Sequence, residues 1–239
     1  MLRRNVLDSG WRNILRKVPA NAVLYLPALP EGLSQATIPD YSGNGNHGTI
    51  AGATWTRLNS GLWVLSYDGI DDVTQITHSA SINLTTWTTE FWFNFATLAG
   101  EQWVFYKASC YAISFYTSDA GVSTGIYVQV WDDDTAKYIG RRTATTGIIT
   151  QTNTWKHLRV TYNGGVLTTD IAFYLDDVQV DTANYENAGT FTAPRTNTNN
   201  IRMGGEPSLW FSGKLALPTQ YNTVVDNGTY PRTRRLLGV

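Results

Sequence analysis

Two carboxylates two positions apart on a strand share one face, and such a pair can serve as acid and nucleophile in glycoside hydrolysis when ~5–5.5 Å apart. The chain holds nineteen Asp and Glu residues, but only Asp132 and Asp134 have this spacing, and they fall in a predicted turn. None of Glu31, Glu90, Glu101, Glu186 and Glu206 has a second carboxylate two residues away. His47, His78 and His157 are scattered without metal-ligand spacing, and no phosphate-binding Gly-rich motif is present. Sugar binding suits the pattern better. An aromatic ring stacks on a sugar face while neighbouring carboxylates accept hydroxyl protons, which makes Trp131, Asp132, Asp134 and Trp210 the glycan-binding candidates. The alternative is that Trp210 packs in the core and the Asp run is a solvated turn.

A second kind of chemistry lies in residues 40–49. Hard cations take oxygen ligands, and Asp40, Ser42, Asn44 and Asn46 offer several within one short loop. Turn chemistry alone also accounts for the Gly and Asn content there. No cofactor is required by the sequence; calcium, held by Asp40, Asn44 and Asn46, is the one candidate.

These residues must be positioned by strands. Residues 155–180 organise the reading: Leu158, Val160 and Tyr162 alternate with His157, Arg159 and Thr161, and Ile171, Phe173 and Leu175 with Ala172 and Tyr174. A period of two means half-buried strands. Asp176-Asp177 lies between two such runs, where a two-residue hairpin turn with both residues at positive φ belongs, and Asp tolerates that region better than most residues. Residues 88–96 alternate as cleanly, with Phe91, Phe93 and Phe95 opposite Glu90, Trp92 and Asn94. Further strands are predicted near 23–26, 62–67, 73–78, 102–107, 111–117, 125–131, 136–142, 199–204 and 211–217. Many short strands with turn residues between them indicate an all-β, two-sheet antiparallel jelly-roll sandwich. The one predicted helix spans 8–18, with Trp11, Ile14, Leu15 and Val18 at helical spacing before Pro19. The organisation expected is a basic arm over 1–21, the sandwich over 22–220 and a basic tail over 221–239.

Four pieces then occur in order: Asp40-Tyr-Ser-Gly-Asn-Gly-Asn-His-Gly-Thr49, Tyr67-Asp-Gly-Ile-Asp-Asp-Val73, the Trp155-Lys-His157 strand with its Tyr-Leu-Asp hairpin, and Met203-Gly204 followed by Phe211-Ser-Gly213. Together they resemble the laminin G-like group of concanavalin A-like lectin/glucanase jelly rolls. The resemblance implies a displayed binding domain, with glycans as the commonest small ligands and the 40–49 loop helping to hold calcium. Where that group's closing strand commonly adds an Asp ligand, this chain has Ala216.

Charge is unevenly placed. The net charge is −1, but residues 1–17 carry +4 and residues 232–239 carry +3, leaving −8 on the body. Basic ends on an acidic body suit docking on a like neighbour. The assembly candidates are Arg3, Arg4, Trp11, Arg12, Ile14, Leu15, Arg16, Arg232, Arg234 and Arg235. Cys110 is alone, no apolar run is long enough to span a bilayer, and no apolar segment of a secretion signal follows the basic N-terminus. The reading is a non-catalytic interaction module, expected at a virion surface as a phage or viral capsid-decoration or tail protein. Its expected partners are copies of itself or another virion protein, and a surface glycan; neither membrane insertion nor nucleic acid is expected. The alternatives are a lectin-like module of a cellular protein and, third, a glycoside hydrolase of the same fold.

Overall fold

A computed structural model describes residues 7–117, 124–133, 136–143, 147–180, 184–226 and 228–237. Helix α1 spans Leu7–Arg16. The first strands are β1 Ala22–Tyr25, β2 Thr37–Ile38, β3 Gly48–Ala51, β4 Thr54–Arg57, β5 Trp63–Asp68 and β6 Val73–Ile76. The middle of the chain forms β7 Trp87–Phe95, β8 Gln102–Lys107, β9 Tyr111–Thr117, β10 Thr124–Trp131 and β11 Tyr138–Arg142. Then come β12 Lys156–Tyr162, β13 Ile171–Leu175, β14 Val178–Gln179, β15 Asn184–Ala188, β16 Ile201–Met203 and β17 Ser212–Tyr221, with helix α2 at Tyr230–Leu237. No helix among the described residues is long and apolar enough to cross a membrane.

The strands form two antiparallel sheets stacked as a jelly-roll sandwich. Sheet A runs β14-β13-β12-β7-β17-β5-β4, with β1 added beside β17; sheet B runs β15-β11-β10-β9-β8-β16-β6-β3-β2. The inward faces are those the alternation predicts: Val160, Phe173, Phe91 and Phe93 are at most 1% exposed and Leu175 is buried. Phe93, Phe95 and Phe115 cluster across the two sheets with ring centres 4.7–5.3 Å apart. Asp176 and Asp177 form the predicted turn, with φ of 50° and 70°. Their carboxylates add what glycine could not: Asp176 accepts the His157 N–H and the Lys156 ammonium, and Asp177 accepts from Arg159.

Strands also form at 48–51, expected within the Gly/Asn-rich loop, and at 54–57, where none is predicted. Strand β17 shifts register between Ala216 and Thr219, with Leu217 at φ 54°. This bulge marks where its second neighbour changes from β5 to β1. In the C-terminal tail, residues 222–226 and 228–237 lie across the outer face of sheet A and end in α2.

That cover explains why every residue of β7 is buried on both faces. Glu90, on the outer face, is 0% exposed. Its carboxylate accepts the Tyr221 hydroxyl and the Thr229 N–H, the latter at 2.8 and 3.1 Å to its two oxygens. His157 Nε2 lies 3.2 Å from Glu90 Oε2, a close approach without good hydrogen-bond alignment. Around it, Thr88 bonds both Thr223 and Val225, Arg159 bonds the Val225 carbonyl, and the Trp92 indole bonds Thr233 and stacks on Tyr230. Burial pushes the Glu90 carboxyl up, but His157, Tyr221 and Thr229 outweigh it and hold it below the ordinary range.

A carboxylate lowered in the fold contributes stability that is complete above its unfolded value, ~4.3, and is lost as pH falls through its lower folded value. Glu90→Gln should therefore lower the melting temperature at neutral pH and flatten the acid limb of the stability curve. Glu90→Ala should cost about 3–5 kcal/mol, as removal of one partner of a buried charged cluster does. Gly228→Ala places a methyl 2.1 Å from Glu90 Oε2. It should cost about 1–3 kcal/mol by overpacking, measured by denaturant unfolding.

Candidate functional site

With the outer face of sheet A covered by the chain's own C-terminal segment, the outer face of sheet B is where large side chains stand partly open. The cross-strand register shows how they come together. Strand β8 carries a bulge between Trp103 and Phe105, so Val104 and Phe105 both bury. Trp103 and Tyr106, three apart in sequence, thereby share the outer face. On β9 the opposing positions are small: Ser114 lies between Trp103 and Tyr127, and Ala112 between Tyr106 and Gln129. Trp131 ends β10 directly opposite Tyr138 on β11. The rings follow one another as Tyr106, Trp103, Trp131 and Tyr138, with centres 5.0, 6.4 and 6.4 Å apart. All four are half-buried, lying over the small floor with their remaining surface toward solvent.

Neighbouring groups fix the rings. The Trp103 indole N–H donates to Glu101 at 2.8 Å. Tyr106 faces Glu206, and burial, reinforced by that carboxylate's charge, pushes its hydroxyl up to about 12. Trp210 is half-buried on the same side and not in the core: the Trp103 backbone N–H donates to Leu209, and the Arg202 guanidinium sits 5.7 Å from the Trp210 ring centre.

Of the sequence candidates for sugar binding, Trp131 and Trp210 thus belong to this face. Asp132 does not present itself. It is 5% exposed, and its carboxylate accepts the Thr192 N–H, the Thr192 hydroxyl and the Ala193 N–H. The Thr192 bonds hold its pKa down at about 2. It is a loop clamp, and Asp134 lies outside the described residues. Sequence reasoning missed Trp103, Tyr106 and Tyr138, because nothing in residues 102–107 announces a bulge.

The calcium candidates do not converge as ligands. Asp40 is buried, and its carboxylate accepts from the Tyr25, Ser42 and Asn46 N–H groups and the Ser42 hydroxyl. Asn46 turns inward, donating to Val23 and Ser81 and accepting from Ser79. Asn44 is exposed and bonds Ser42. The Asp40 carboxylate and the Asn46 amide oxygen are taken up by donors of the protein, and Ala216 packs in an apolar cluster with Leu15 and Trp92. The residues do not fit a calcium ion. Asp68, Asp71 and Asp72, in another turn, bring carboxylate oxygens within 4.8 Å of one another. There, too, two carboxylates accept turn N–H groups: Asp72 from Asp68, and Asp68 from Ile70.

The assembly candidates divide. Leu15 is 0% exposed and packs within the chain against Leu29, Leu62, Trp92, Leu236 and Leu237. For this residue of the helix stripe, the partner surface is the chain's own sandwich. Tyr25 donates to the Leu15 carbonyl, and Arg232 to that of Lys17, so the two termini meet. Arg12 is half-buried, Arg16 pairs with Glu31 at 2.5 Å, and Ile14, Arg234 and Arg235 are exposed. Arg3 and Arg4 lie outside the described residues, as does the side chain of Trp11.

A family model described as the concanavalin A-like lectin/glucanases superfamily matches residues 68–227. No curated protein matches the sequence. Among solved structures, domain 4 of an extracellular arabinanase from Geobacillus stearothermophilus, in complex with arabinotriose, aligns with TM-score 0.63 and 15% identity over 91% of this chain and 98% of that one. The binding domain of Botulinum neurotoxin DC in complex with SialylT aligns with TM-score 0.61 and 11% identity, over 93% of this chain and 52% of that one. A Trypanosoma rangeli sialidase aligns with TM-score 0.60 and 12% identity, over 92% of this chain and 33% of that one.

Because the oxygen atoms of the 40–49 loop are already bonded, the melting temperature should be the same in millimolar calcium and in chelator. A rise of several degrees with calcium, abolished by Asp40→Asn, would show that the loop opens to take the ion.

Proposed function

We propose that this chain, which belongs to the concanavalin A-like lectin/glucanases superfamily, is a non-catalytic glycan-binding module whose sugar-binding surface is the outer face of sheet B. One observation carries the reading: the contiguous half-buried rings of Tyr106, Trp103, Trp131 and Tyr138 over a floor of small residues. Flat rings match the C–H faces of sugars, and Gln129, between them and half-exposed, offers a neutral amide for hydroxyl groups. Neighbours of this fold solved with a trisaccharide or a sialylated ligand support the reading without supplying the ligand's identity.

Hydrolysis has less support. Glu90, on the central strand, lies beneath the C-terminal segment. Glu101, at the edge of the aromatic face, accepts the Trp103 indole N–H, and Glu206 faces Tyr106. Docking through the termini at a virion surface rested on the absence of a secretion signal's apolar segment and on basic ends beside an acidic body; Leu15 has its apolar partners within the chain, while Ile14, Arg234 and Arg235 stay exposed.

Titration against a panel of oligosaccharides tests the proposal. Trp131→Ala and Trp103→Ala should each weaken binding about tenfold, equivalent to ~1.4 kcal/mol, with the fold retained by circular dichroism. No sugar should be cleaved. Unchanged affinity in both variants would remove this face as the site, and turnover lost on mutating a single Glu would make the protein a hydrolase.

A further inference from the structure

A separate cleft lies at the opposite kind of location, the edge of sheet A. Strand β4 ends that sheet, and beside it the chain folds over residues 30–36. Between them is a cleft of about 490 Å³, within the range of small-ligand sites. Its walls include Trp55, Trp63, Pro30, Gln35 and Thr54. Trp55 pairs with Leu65, and Trp63 with Arg57, in the β4–β5 ladder, so the two indoles project from the same side. Both are half-buried, packed on the main core by one edge and lining the cleft by the other. The Trp55 indole N–H donates to the Ser34 carbonyl at 2.8 Å, which fixes its ring before any ligand arrives.

The polar groups narrow the ligand. Gln35 and Thr54 are exposed, and their side chains make no hydrogen bond among the described residues. No ionisable side chain lines the cleft; the exposed Arg57, paired with Trp63, shares the strand face but is not part of the lining. A charged ligand would lose water there and gain no counter-ion from the lining. A neutral sugar would lay a ring face on an indole and meet an amide and a hydroxyl with its own hydroxyl groups. The geometry points to a second carbohydrate site, for a neutral oligosaccharide, at Trp55, Trp63, Gln35 and Thr54. It shares no residue with the aromatic face of sheet B and does not rest on the reading given to that face. Two sites on one rigid body would let one chain hold two points of a polymer, raising avidity without new contacts.

Fluorotryptophan NMR of the full chain tests this, with each indole signal assigned by single Trp→Phe variants. The probes are arabinotriose, cellotriose and maltotriose as neutral sugars, trigalacturonate as a charged one, and a proline-rich peptide. The Trp55 and Trp63 signals are expected to shift and saturate with at least one neutral trisaccharide, and not with trigalacturonate or the peptide. Trp55→Ala should abolish the Trp63 shift while leaving any Trp103 and Trp131 shifts intact. Gln35→Ala, which alters only an exposed side chain, should weaken the interaction severalfold in a protein of unchanged melting temperature. Silence of both signals with all three neutral sugars at millimolar concentration would overturn the proposal, as would a preference for the charged sugar or the peptide. Response at Trp103 and Trp131 without response at Trp55 and Trp63 sinks this inference alone; the reverse pattern sinks only the sheet B reading.

Discussion

The carboxylate of Glu90 sets the terms for much of this molecule. It sits on the central strand of sheet A, pointing away from the sandwich core, in a position that alternation marks as outward. A carboxylate with His157 and Arg159 beside it would be well solvated there if the sheet were bare. Instead the chain draws its last residues across it, and the cost of removing these charges from water is several kcal/mol per ion. That cost is offset because the covering segment brings the Thr229 N–H and the Val225 carbonyl, and the end of β17 the Tyr221 hydroxyl. Gly228 is where the segment comes closest, with no room for a side chain against the carboxylate. The electrostatics of one strand thus dictate the path of the C-terminus, and the C-terminus seats α2, against which Leu15 of α1 packs.

This commits one sheet face to structure and leaves the other for surroundings. The two outer faces differ in chemistry as well as in cover. Outer positions of β7 and β12 carry Glu, Trp, His and Arg, which need partners when buried. Outer positions of β8 to β11 carry Trp and Tyr beside Ala, Ser, Gly and Gln, which tolerate partial exposure, with Arg142 the one charged side chain among them. The β8 bulge is the one departure from regular pairing that this surface requires, since without it Trp103 and Tyr106 would point to opposite faces.

The core was legible because period two is a local signal that burial enforces strongly. The hairpin at Asp176-Asp177 was legible as a turn, though the reason for Asp over Gly appears only with the strand-edge donors in place. Carboxylates were the hardest to read. Asp40 and Asp132 have the neighbours expected of ligands to a cation or a sugar, yet Asp40 bonds backbone N–H groups of its own loop and Asp132 those of Thr192 and Ala193 in a distant segment. An acceptor for a backbone donor and an acceptor for a ligand look the same in sequence; only the identity of the partner separates them. The C-terminal helix, with three Arg among its eight residues, has little apolar pattern of its own. It forms because Trp92 and Thr233 meet across 141 positions, a contact with no local trace.

The same distinction bears on how the aromatic surfaces would recognise a ligand. The indole N–H groups of Trp103 and Trp55 are already bonded, to Glu101 and to the Ser34 carbonyl. A sugar meeting these rings therefore finds their planes set in advance, and little ordering cost is charged to association. The other side of this arrangement is that the rings keep no N–H free for a sugar hydroxyl. Stacking on them recognises a flat face and discriminates little among sugars that have one. Selectivity must then come from neighbours whose polar groups are still open: Gln129 on the face of sheet B, Gln35 and Thr54 at the edge of sheet A. All are uncharged, so they would hold a sugar by hydrogen bonds to its hydroxyl groups and leave a charged substituent without a counter-ion.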